Sequence, residues 1–242
     1  MNAAAIAIAA VLSATAAAAA PAPTIWEEAT ESPDAAAART AYDAQMLAGD
    51  DLIAIAVASD RLDERGRLVQ AALSAYEAAA IARPDLAEPH WRAALVLHTF
   101  YNECAMDRAP LCVGGPRKRE AERLIAHWDA AERLAPWDPR VAERVLPDRA
   151  ILHTKLATPA HLEAARVDYQ RILDRRRGVT PVEPLGSNTF RRAFALGNMA
   201  ETMMMLGDLD AAIEAYREAD RLSPDLSRAF GLAVALDRDG QA

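Results

Sequence analysis

"GDLDAAIEAYREADRLSP", residues 207–224, decides how the rest of the chain reads. Gly207 is suited to end one helix and Asp208 to cap the next. Strong helix formers fill the interior, and Pro224 stops it, because a proline ring cannot continue the hydrogen-bond ladder and pushes the preceding residue out of the α region. Inside this stretch Ala212, Tyr216 and Ala219 follow at gaps of four and three, which places two small residues and one ring on a single helical stripe. The alanines allow another helix to approach closely, and the ring fills the space between layers.

The same gaps recur along the chain. Ala72, Tyr76, Ala79 and Pro84 repeat them in "AALSAYEAAAIARP", and Leu124, Trp128, Ala131 and Pro136 repeat them in "RLIAHWDAAERLAP". A fourth copy offers Ala165, Tyr169 and Ile172, with Arg177 where the proline would stand. Each stripe is preceded by a second amphipathic segment. "FRRAFALGNMAETMMML", residues 190–206, carries Leu196, Met199, Ala200, Met203 and Leu206 at helical spacing, and "EPHWRAALVLHTFY", residues 88–101, precedes the Trp128 stripe. The repeating unit is therefore a helix hairpin.

On these residues the chain resembles the tetratricopeptide repeat family. The closest copy is residues 193–226, through Asn198, Leu206, Gly207, Asp208, Ala212, Tyr216, Ala219 and Pro224. The looser copies extend the likeness from about residue 40 to the end. The resemblance implies an all-α superhelical solenoid of about four helix hairpins, closed by a C-terminal capping helix in "LSRAFGLAVALDRDGQA". The rings of successive stripes stand 52, 41 and 47 residues apart, against about 34 in the family, so insertions separate the units. The largest is residues 102–116; another is "GVTPVEPLGS", residues 178–187. Long loops in compact arrays are often functional, but these can equally be tolerated insertions.

The resemblance also implies a mode of action. First helices of such hairpins line a concave groove that holds a peptide or partner helix, which here gives Trp91, Leu95, His98 and Thr99, and Phe194, Glu201, Met204 and Met205, as the expected lining. Trp91 and Gly197 stand where a carboxylate-clamping lysine would be needed, so capture of an acidic C-terminal tail is disfavoured. Met203 shares the spacing of the inward stripe, leaving Met204 and Met205 as candidates for exposure; core filling is the alternative. The last helix, left unpaired, is a candidate surface for self-association.

Composition sets outer bounds. The 242 residues are 52% hydrophobic but only 5% aromatic, so a core exists and is built from small side chains, which favours packed helices over sheets. The net charge is −8, and 25 of the 27 cationic residues are arginine, the lysines being Lys118 and Lys155. An acidic chain with scattered positive charge argues against nucleic acid, which needs a clustered basic stripe. The clusters Arg117–Arg119 and Arg175–Arg177 fall at a helix start and a helix end, where solvated termini account for them.

"MNAAAIAIAAVLSATAAAAA", residues 1–20, has no charged side chain and ends in small residues before Pro21, the form of a secretory signal peptide. Residues 21–34 then read as a flexible linker, and residues 35–242 as the helical repeat domain. Export to the periplasm or beyond the cell is expected; an uncleaved inner-membrane anchor is the alternative, since about 18 apolar residues is the lower limit for a span. In such a compartment Cys104 and Cys112 are most simply a disulfide closing a short loop, worth about 2–3 kcal/mol, the alternative being two unpaired thiols.

No catalytic motif is legible. His90, His98, His127, His153 and His161 form no H-E-x-x-H and complete no metal set with Cys or carboxylate, and no phosphate loop or nucleophile elbow occurs. The expectation is a non-catalytic protein–protein interaction scaffold of the bacterial cell envelope, with no cofactor and no metal. The alternative is a small-molecule or enzymatic role at the Cys104–Cys112 insertion.

Overall fold

The computed structural model describes residues 31–102, 111–114, 118–175 and 187–240. Among these the chain is helical throughout, with no strand. It divides into two compact units, Met1–Pro136 and Trp137–Ala242.

In the first unit, α1 (Pro33–Ala58) starts where Ser32 Oγ accepts from the Ala35 N–H at 3.2 Å. It is followed by α2 (Leu62–Ala82), α3 (Glu88–Leu97) with a π-helical turn at His98–Asn102, and α4 (Lys118–Leu134). Each helix packs on the next along the chain. In the second unit a π-helical turn at Val141–Val145 leads into α5 (Leu146–Leu156), followed by α6 (Pro159–Arg175), α7 (Ser187–Leu206), α8 (Leu209–Leu222) and α9 (Leu226–Arg238). Again neighbours in sequence are neighbours in space, and α7 additionally touches α5 and α9.

The four stripes form the cores of these pairs. Tyr76 and Tyr169 are 1% exposed, Tyr216 and Trp128 5%, and the flanking Ala72, Ala79, Ala131, Ala165, Ala212 and Ala219 are fully enclosed. The helices also end where the prolines require: α2, α4 and α8 each stop two residues before Pro84, Pro136 and Pro224. Between α7 and α8, Gly207 takes the left-handed conformation at φ 85° that a residue with a Cβ would resist, and Asp208 Oδ1 accepts from the Ala211 N–H to cap α8.

Residues 1–30, hence the expected signal peptide and most of the expected linker, lie outside the described residues, and so does Cys104 with its pairing to Cys112. No helix among the described residues is long and apolar enough to cross a membrane.

Candidate functional site

Helix α7 turns two faces in opposite senses. Ala193, Ala195, Leu196, Met199, Ala200 and Met203 are buried, whereas Phe190, Phe194 and Met205 are 56%, 42% and 44% exposed. The exposed three, together with exposed Glu201, succeed one another at gaps of four, seven and four and so share one side of the helix. Met204 is half-buried. Gly197, on the same side, lies under Arg228 of α9: a Cβ there would stand 3.3 Å from Arg228 Cγ.

Beside Phe194 a cavity of about 260 Å³ opens among α5, α6 and α7. Tyr169 and Ile172 form its floor, Pro147, Phe194 and Ala195 its walls, and Glu143 and Arg191 bring opposite charges to it. Burial pushes the Tyr169 hydroxyl well above the ordinary phenol range, so that floor stays neutral. A second cavity of about 300 Å³ lies over α6, α7 and α8, where Met199 and Met203 meet Leu173 and Leu196 beneath the Arg192–Glu218 ion pair (3.8 Å).

The first-unit residues expected in the groove are buried or half-buried. Trp91 is 7% exposed, part of the core with Ala94 and Val96; Leu95 and Thr99 are half-buried. His98 is half-buried with its ring tilted 52° against Trp128 at 6.0 Å. Further along, Val113 N–H donates to the Phe100 carbonyl (3.1 Å), tying the chain beside half-buried Cys112 back to the π-helical turn. The cavity nearby, among Leu97, Tyr101, Asn102, Glu120, Ala121 and Leu124, holds about 10 Å³, room for about one water molecule.

Four of the five histidines form two pairs that nothing in their sequence spacing signals. His90 Nδ1 on α3 lies 3.1 Å from His127 Nδ1 on α4, and His153 Nδ1 on α5 lies 2.8 Å from His161 Nδ1 on α6. Each pair thus joins two successive helices, one in each unit. In each, one ring is half-buried (His90, His161) and the other buried (His127, His153). Behind His127, Glu77 Oε1 sits 3.6 Å from Nε2 and is itself held by Arg123 at 2.7 Å. Burial, reinforced by His90, pushes His127 down to about 4; burial, reinforced by His161, does the same to His153. Burial also lowers His90, with the charge of Arg133 adding to it.

Among the described residues no group of three or more His, Cys, Asp or Glu is arranged to hold a metal ion. No protein-family model matches the chain, and no curated protein matches it either.

Proposed function

We propose that the chain is a non-catalytic binding scaffold: an exported, tetratricopeptide-like stack of helix hairpins that holds a peptide or partner helix against α7. The observation that carries this reading is the outward stripe Phe190, Phe194 and Met205, large apolar side chains left exposed on a helix whose opposite face is fully packed. Phe194 lies at the edge of a cavity large enough for one aromatic or branched side chain, and Glu143 and Arg191 offer a charge of either sign to flank it. Trp91 contributes to packing in this reading, and the groove is carried by the second unit.

Selection of a displayed random-peptide library on the full chain tests it. Enriched peptides should share one large apolar anchor, bind in the micromolar range, and weaken about tenfold or more with Phe194→Ala, the usual effect of removing an anchor contact. Failure to enrich, or binding indifferent to both Phe194→Ala and Met205→Ala, overturns the assignment. Export and the Cys104–Cys112 bond belong to the same proposal. They are read from the intact mass of the chain recovered from a bacterial envelope, which should begin near Pro21 and resist alkylation until reduced.

A further inference from the structure

We propose that the two imidazole pairs are single-proton latches, each keeping its two helices together while it carries no more than one added proton and releasing them when both rings are charged. The geometry points to this through proton counting. Two Nδ1 atoms at 3.1 or 2.8 Å share one hydrogen, so in the neutral pair one ring presents Nδ1–H and the other its Nδ1 lone pair. In the first pair Glu77, opposite His127 Nε2, favours the tautomer with Nε2–H on His127, which leaves His127 Nδ1 the acceptor and His90 the donor.

A first proton from solvent enters at Nε2 of His90, the half-exposed ring. The shared hydrogen bond survives and becomes charge-assisted. A second proton has only the acceptor nitrogen to go to. Its arrival sets two N–H groups and two positive charges face to face, so the bond is lost and the rings must part.

His153 and His161 repeat the arrangement around the tight joint of α5 and α6, where Ala157 adopts φ 54°: one ring is buried, its partner half-exposed on the first turn of α6. The charges facing the first pair are Glu77 from α2 and Arg123 and Arg133 from α4; those facing the second are Arg149 from α5 and Asp168 from α6. Glu77 and Asp168 favour charge on the buried rings, Arg123 and Arg149 oppose it there, and Arg133 opposes charge on His90.

Hydrogen exchange on the full chain, stepped from about pH 7 to about pH 4.5, reads the latch directly. Protection in α3–α4 and α5–α6 should fall about tenfold or more before that of α1–α2 and α8, after correction for the intrinsic rate. The double variant His127→Gln, His153→Gln should lose this selective response, since glutamine keeps a polar group but takes no proton. Should that variant fail to fold, ¹⁵N shifts of the wild-type rings decide instead: each pair should show one Nδ1–H and one bare Nδ1 at neutral pH. Uniform loss of protection across all helices, two rings of the same tautomer, or a urea midpoint raised at pH 7 by one Zn²⁺ per pair would each overturn the latch, the last in favour of a metal site.

Discussion

At the scale of single residues, two glycines make the tyrosine stripes possible. A Cβ on Gly49 of α1 would stand 2.5 Å from Tyr76 Cε1, and one on Gly231 of α9 would stand 2.6 Å from Tyr216 Cζ. Neither ring can yield: both are buried, and the Tyr76 hydroxyl donates to Asp50 Oδ1 at 2.7 Å. Alanine is the better helix former by about 1 kcal/mol, so propensity alone predicts that Gly231→Ala stabilises. Overpacking against a fixed ring costs about 1–3 kcal/mol, which reverses the sign. Gly231→Ala and Gly49→Ala should therefore each lower the urea midpoint. Gly66→Ala in α2, where the nearest side-chain atom is 4.0 Å away, should raise it. If all three move the same way, close ring contact is not what selects glycine. The inward direction of the tyrosines was legible in the sequence because it follows from spacing within one helix. Their glycine partners were not, because each lies on a different helix, and spacing within a helix says nothing about which residue stands opposite.

At the scale of elements, the α5–α6 pair shows what periodicity leaves out. Its apolar stripe is fully legible, and prolines mark the ends of α2, α4 and α8, but a polar contact also binds α5 to α6. Arg149 donates from Nε and Nη2 to the two carboxylate oxygens of Asp168 at 2.7 and 2.8 Å, and both residues are buried, at 5% and 4% exposure. Their meeting depends on how the two helices are rotated about their axes, which no count along the chain fixes. The same blindness hid the imidazole pairs and the burial of Trp91, since an aromatic residue on a first helix can serve packing or binding. Asp168→Ala should cost about 3–5 kcal/mol, because it removes the carboxylate that both donors of a buried guanidinium meet. Glu163→Ala, which breaks the exposed Arg166–Glu163 pair on α6, should leave the urea midpoint almost unmoved. Urea titrations of the two variants at neutral pH give the comparison; costs of similar size would mean that Arg149 finds another partner or water when Asp168 is gone.

At the scale of the whole molecule, the histidines and the net charge act in the same pH interval. His127 and His153 fall from an ordinary 6.5 to about 4 in the fold, so both are kept neutral by it. The unfolded chain takes up those protons first as pH drops. The stability they represent is therefore complete above pH 6.5 and is lost progressively on the way down to about 4. For a buried ring that interval corresponds to about 3 kcal/mol at most. Against a typical total of about 5–15 kcal/mol this is a large fraction. Meanwhile the net charge of −8 at pH 7 vanishes near the isoelectric point of 5.2, and with it the repulsion that keeps copies apart. A weakened fold and a neutral surface thus coincide near pH 5. The urea midpoint should fall steadily between pH 7 and pH 5, and light scattering should peak close to pH 5. His127→Gln with His153→Gln should flatten the first curve while leaving the position of the second, because the two histidines govern the proton linkage and the carboxylates and arginines set the isoelectric point. A scattering peak that moves away from pH 5 with the histidine variants would show that aggregation follows opening of the fold rather than loss of charge.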